Sequence, residues 1–135
     1  MKQLESQKIL LVGGCGYIGS FLYSKLKQGG AEVVICDTLL RGNALQIKPY
    51  CTPYQDLTQD YMRQFSAVLW FAGHSSVPIS VDDPHGALAN NSTDLYRFAR
   101  KLSQDCNFIY ASTASLYSNN DQKMTEANES SVIIP

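Results

Sequence analysis

Apolar residues in this chain fall into short continuous runs, separated by stretches in which they recur every three or four positions. The continuous runs predict strands at Lys8–Val12, Glu32–Cys36, Tyr50–Tyr54 (the weakest of them), Ala67–Phe71 and Phe108–Ala111. The spaced stretches predict helices at Tyr17–Gln28, at Thr58–Gln64 and from about Asp83 to Ser103. In the first helix the apolar set is Tyr17, Ile18, Phe21, Leu22 and Leu26; in the last, Leu95, Phe98, Ala99 and Leu102 share one stripe. Gly29-Gly30 is placed to stop the first helix, because glycine tolerates the left-handed conformation found there. Strands that alternate with helices imply a parallel sheet with right-handed crossovers, most simply five strands in the order 3-2-1-4-5.

The junction between the first strand and the first helix adds chemistry to this pattern. It reads Gly13-Gly14-Cys15-Gly16-Tyr17-Ile18-Gly19, a glycine at every third position between a strand and a helix. In that context the spacing marks a dinucleotide site in a Rossmann-type, doubly wound α/β fold. Gly13 lets the chain turn sharply, Gly16 lets backbone approach a pyrophosphate, and Gly19 lets helix and strand pack closely. The helix N-terminus offers unpaired N–H groups to the phosphates. Asp37 closes the second strand, 18 residues beyond Gly19. A carboxylate there accepts from both adenosine ribose hydroxyls and repels a 2′-phosphate, which favours NAD over NADP. Arg41 argues the other way, since a nearby arginine accommodates that phosphate.

Bulk properties narrow the setting. The chain has 135 residues, 44% of them hydrophobic, enough for one domain with a core. Eleven Lys and Arg against twelve Asp and Glu imply neither a nucleic-acid partner nor an anionic membrane patch. No apolar run approaches a membrane span, and the first residues lack the apolar core of a signal peptide. The four cysteines show no metal-ligand spacing with His74 or His85, so no metal site is expected. Free thiols in a reducing cytoplasm are expected instead.

Several segments together resemble one family. Gly13 to Ser20 looks like the opening of the extended short-chain dehydrogenase/reductases, within them the NAD-dependent epimerase/dehydratases that act on nucleotide sugars. Asp37-Thr38-Leu39-Leu40-Arg41-Gly42-Asn43 and Gln55-Asp56-Leu57-Thr58 resemble that family's segments after its second and third strands, with Gln55 replacing a usual glycine. Phe71-Ala72-Gly73-His74-Ser75-Ser76-Val77-Pro78 is similar to its fourth-strand motif. Asn90 stands where its Asn-x-x-Gly-Thr begins, although Asn91 offers a second register and the glycine is missing. Tyr110-Ala111-Ser112-Thr113-Ala114-Ser115-Leu116-Tyr117-Ser118 resembles its Ser-Ser/Thr-Ala-x-Val-Tyr-Gly segment.

The resemblance implies roles. Gly13, Gly16, Tyr17, Ile18, Gly19, Asp37, Ala72, Gly73 and Asn90 would bind NAD, with Asp56 on the adenine amino group and Leu57 beside the ring. Ser75 and Ser76 would face a nucleotide-sugar substrate, and Thr113 would take the catalytic Ser/Thr position. Plainer readings stand beside these. Asp37 could cap a strand, Asn90 could be a solvated helix residue, and Ser112 to Ser115 could be a strand-end loop whose hydroxyls satisfy local backbone. The family's 4,6-dehydratases place Asp-Glu after the catalytic threonine; here Ala114-Ser115 follow, which prefers an epimerase or simple oxidoreductase.

The family's Tyr-x-x-x-Lys pair occurs in this chain only as Tyr23 and Lys27, on the first helix. With Val132-Ile133-Ile134-Pro135 as its last residues, the chain is expected to be the cofactor-binding part of a longer enzyme, inactive alone. The alternative is a non-catalytic dinucleotide-binding module. Without the helices that follow in the family, one sheet face and the Leu95, Phe98, Leu102 stripe are expected to lack cover, so self-association or a homo-oligomer is expected.

Overall fold

Leu10 and Val12 point to one face of the first strand and Leu11 to the other, and both faces are covered. Pleating sends alternate side chains to opposite sides, so a strand buried on both reads as one unbroken apolar run. That strand, β1 (Lys8–Val12), lies inside a parallel sheet of order β2-β1-β3-β4, with β2 Glu32–Cys36, β3 Ala67–Trp70 and β4 Asn107–Tyr110. Leu10 pairs with Val34 on one side and Val68 on the other. The computed structural model describes residues 4–40, 42, 43, 45, 46, 49 and 53–113. Arg41, residues 50–52 of the expected third strand, and the segment from Ala114 to Pro135 lie outside the described residues.

Four strands are described where five were expected. The one not among the described strands is the outermost of the expected order, and the described end of its candidate, Tyr54, opens a 3-10 turn, Tyr54–Asp56. The remaining strands keep the predicted order. Helix α1 (Tyr17–Gln28) has the predicted bounds, and the left-handed residue after it is Gly30 (φ 92°), while Gly29 stays helical. Helix α2 (Gln59–Met62) is shorter than predicted and is capped by Thr58, whose Oγ1 accepts from the Tyr61 N–H.

The long helix expected from Asp83 is instead a segmented rod. It comprises α4 (Pro84–Leu88), a widened π turn (Ala89–Thr93) and α5 (Asp94–Ala99). A further short helix, α3 (Val77–Asp82), precedes it. Asp83 starts α4 by accepting from the Gly86 N–H, with Pro84 in the first turn. A π turn breaks the 3.6-residue period and is often retained where a site needs it.

One core layer contains Leu10, Val12, Met62, Phe65, Val68, Trp70 and Phe98, with Leu95 and Leu102 packed on it. The Leu95, Phe98, Leu102 stripe is therefore not an uncovered face, because α5 lies on the sheet, and it offers no surface for self-association. Each fully buried large apolar side chain here contributes about 1.5–3 kcal/mol. The opposite layer joins Leu11, Cys15 and Ile35, with Tyr23 of α1 against them.

Candidate cofactor site

The site is built where β1, β2 and β3 end, which is where open parallel sheets bind ligands. Gly13 leaves β1 at φ 80°, and a Cβ there would meet the Ala72 nitrogen at 2.7 Å. The turn and the β3 loop are therefore in backbone contact. At Gly19 a Cβ would collide with the Gly13 carbonyl oxygen and stand 2.6 Å from the Gly14 Cα. Both glycines are demanded by the protein's own packing. Gly16 is not: a Cβ there would touch, among the described residues, only the Gly13 oxygen at 3.6 Å. Gly16 is also the N-cap of α1, in extended conformation and without a side-chain cap, so the first-turn N–H groups are left to the groove.

Asp37 ties this turn to β2. Its Oδ2 accepts from the Cys15 N–H and its Oδ1 from the Leu39 N–H, both at 2.8 Å. A carboxylate has about four acceptor positions, so two remain for ribose hydroxyls. The opposite wall is the 72–76 loop, held from the π turn. Asn90 Nδ2 donates to the Ala72 carbonyl at 2.9 Å. Asn91 Oδ1 accepts from the His74 N–H at 2.7 Å, and Asn91 Nδ2 donates to the His74 carbonyl at 2.9 Å. The two candidate registers thus resolve into two consecutive side chains clamping one loop. Tyr54 closes the network: its ring packs edge-on against Trp70 at 4.7 Å, and its hydroxyl donates to Asn90 Oδ1 at 2.9 Å, with Asp94 Oδ2 at 3.3 Å. Burial, and then the Asp94 carboxylate, push the Tyr54 phenol up to about 12.

Two cavities open on this junction. One, of about 290 Å³, is lined by Asp37, Tyr54, Gln55, Ala72 and Asn90 among others. The other, of about 780 Å³, is lined by Tyr17, Ile18, Gly19, Ser75, Asn91 and Thr113 among others. They share Gly13, Gly16, Phe71, Gly73 and His74, and so form one continuous groove. Three expected site residues do not line it. Asp56 is exposed at the end of the 3-10 turn, Leu57 is buried in the core, and Ser76 caps α3, its carbonyl accepting from Ser80. An apolar leucine is drawn under the sheet edge, and Tyr54 and Gln55 take the lining position instead. Tyr23, of the only Tyr-x-x-x-Lys, packs on the far layer with Leu11 and Ile35, away from the groove. Sequence reasoning misses Tyr54 and His74 as groove residues and offers Asn91 only as a second register for Asn90; a polar atom on an aromatic between apolar segments is the one available signal for Tyr54.

A glycine turn, an uncapped helix N-terminus and an acid at the end of β2 define a dinucleotide-binding α/β domain, and these residues fit such a ligand. The model of the NAD dependent epimerase/dehydratase family matches residues 9–133, so the chain belongs to that family. NAD, expected from Asp37 and the glycine spacing, is thus the cofactor of the family to which the chain belongs. A UDP-glucose 4-epimerase of Lactobacillus helveticus is 31% identical over 121 residues, covering 82% of this chain and 36% of that protein. One of Klebsiella pneumoniae is 31% identical over 130 residues, covering 82% of this chain and 91% of that protein. The crystal structure of a UDP-glucose 4-epimerase from Stenotrophomonas maltophila, with bound NAD and formylated UDP-arabinopyranose, matches with TM-score 0.72 and 27% identity, covering 86% of this chain and 40% of that one. The chain spans little more than a third of the length of the first of these relatives. No helix among the described residues is long and apolar enough to cross a membrane.

Proposed function

We propose that the chain is the NAD-binding domain of a nucleotide-sugar epimerase, an oxidoreductase in which hydride passes transiently between a sugar carbon and NAD. The observation that carries this reading is the unbroken groove from Asp37, across Gly13 and Gly16, to Thr113. In this reading Gly13, Gly16, Tyr17, Ile18 and Gly19 surround the pyrophosphate and Asp37 accepts from the adenosine ribose. Ala72 and Gly73 run along the cofactor, and Asn90 holds that wall. Ser75 faces the sugar nucleotide, and Thr113 orients the reacting hydroxyl. Asp56 would reach adenine only by turning in from the rim. UDP-hexoses are the first substrates to test, because the relatives named above are UDP-glucose 4-epimerases.

General-base catalysis contributes typically 10²–10⁴-fold, and the only Tyr-x-x-x-Lys points away from the groove. Turnover by residues 1–135 alone is therefore proposed to be undetectable. Self-association is part of the same proposal and rests on Ile109, more than half exposed on β4; light scattering tests it. For the cofactor, titration calorimetry should show NAD binding more tightly than NADP. Asp37→Ala should weaken NAD about tenfold or more, the loss of a charge-assisted pair. Equal or tighter binding of NADP by the unmodified chain would refute the assignment, and epimerisation of UDP-glucose by it would refute the inactivity.

A further inference from the structure

Two positions where the resemblance puts glycine carry polar side chains in this chain, and those two side chains meet. Gln55 replaces the glycine of its segment, and Asp94 stands at the glycine of Asn-x-x-Gly-Thr when the count starts at Asn91. Gln55 Nε2 donates to Asp94 Oδ2 at 3.1 Å, and the same oxygen takes the Tyr54 hydroxyl at 3.3 Å. The backbone beneath is tied as well, since Lys101 Nζ donates to the carbonyls of Gln55 and Leu57. A carboxylate only accepts, so Asp94 fixes which way the Gln55 amide faces. Turning the amide over would set oxygen against oxygen. Gln55 Oε1 is thereby left as an acceptor, with no partner among the described residues.

Gln55 lines the cavity of about 290 Å³ that also holds Asp37, and not the one that runs on to Thr113. It therefore lies on the nucleoside side of Gly13 and Gly16. Other polar groups of this cavity are taken: the Tyr54 hydroxyl goes to Asn90, and Asn90 Nδ2 to the Ala72 carbonyl. Asp56 does not line it. We propose that Gln55, and not Asp56, selects adenine, its Oε1 accepting from the exocyclic amino group of the base. Asp94 is the positioning residue that aims the amide. This rests on the NAD reading above. Hypoxanthine carries a carbonyl oxygen in place of that amino group and would meet Oε1 acceptor to acceptor.

The test is calorimetric, on the full chain, with NAD and nicotinamide hypoxanthine dinucleotide titrated into each protein. The unmodified chain should bind NAD about five- to tenfold more tightly, the effect of one hydrogen bond exchanged for two facing acceptors. Gln55→Ala should bring the two affinities within about twofold. Both ligands meet the same folded fraction, so their ratio does not move with a stability defect. Asp94→Ala should at least halve the preference, and Asp94→Asn, which keeps an acceptor for Nε2, should recover it. An Asp94→Ala variant that weakens both dinucleotides alike would overturn the positioning role. Equal affinities in the unmodified chain would overturn the inference, as would a preference that survives in Gln55→Ala. A preference lost in Asp56→Ala but kept in Gln55→Ala would overturn it in favour of Asp56. Failure of the unmodified chain to bind NAD would instead overturn the dinucleotide reading, and this inference with it.

Discussion

The two loops that wall the groove are held by opposite means. The Gly13–Gly19 turn takes its shape from side chains that are missing: Gly13 presses on the Ala72 nitrogen and Gly19 on the Gly13 oxygen, and each contact exists because no Cβ intervenes. The 72–76 loop takes its shape from side chains that arrive from elsewhere, with Asn90 and Asn91 reaching it from a π turn 17 or 18 positions later. A wall made by close backbone contact is stiff, and any added atom collides with main chain. A wall made by amide hydrogen bonds can lose one partner and still keep others. The groove thus joins a rigid phosphate side to a side whose position depends on a few polar contacts.

The sharpest way to test this difference is to add one carbon to the turn. Gly13→Ala must place a side chain at φ 80° and 2.7 Å from backbone. The left-handed conformation costs about 1–2 kcal/mol and overpacking about 1–3 more. A loss of about 2–4 kcal/mol in urea unfolding is expected. Gly16→Ala, with its nearest contact at 3.6 Å, should change stability by less than about 1 kcal/mol, while its NAD affinity falls because the added methyl occupies the groove. Equal destabilisation by both would show that the turn does not distinguish packing from ligand positions.

The other wall should yield a smaller effect. Asn91→Ala removes both hydrogen bonds to His74 and the one from Asn90 Nδ2. On this exposed loop the expected cost is about 1–3 kcal/mol, with the largest loss of hydrogen-exchange protection at the His74 amide. Asn91→Asp keeps the acceptor for that amide and should lose about half as much. If neither variant alters exchange at His74, the clamp does not hold the loop.

The same contrast explains what could be read from the chain beforehand. Lys8–Val12, Tyr17–Gln28 and Glu32–Cys36 are local patterns, and the glycine turn between them has a spacing that only close packing and a phosphate require. Their bounds, the strand order and Asp37 at the end of β2 all follow from neighbours in sequence. The other wall is assembled from residues 17 to 40 positions apart, and no periodicity announces that Tyr54 meets Asn90 or that Asn91 meets His74. The apolar stripe of Leu95, Phe98 and Leu102 marked a helix correctly, yet it could not show the π turn before it or that the sheet itself covers the stripe. Leu57 illustrates the remaining gap. A family motif placed it beside adenine, whereas burial of an apolar side chain places it in the core.

The smallest expected effect lies at the link between the second wall and the core. The Tyr54 phenol is pushed up from 10.0 to about 12, by burial and then by Asp94. The folded chain therefore holds this proton more tightly than the unfolded chain does. The stability linked to it is complete below pH 10 and is lost as pH rises through 10 towards 12. The comparison is with Tyr54→Phe, which keeps the ring between Trp70 and Phe98. At pH 8 that variant should be less stable by about 1 kcal/mol, because Asn90 Oδ1 and Asp94 lose a donor. By pH 11 the gap should have closed, since deprotonation costs the parent chain what the variant never had. A gap that stays constant between pH 8 and pH 11 would show that the hydroxyl is not held by the Asn90–Asp94 pair. The 72–76 wall would then depend on the two asparagines alone.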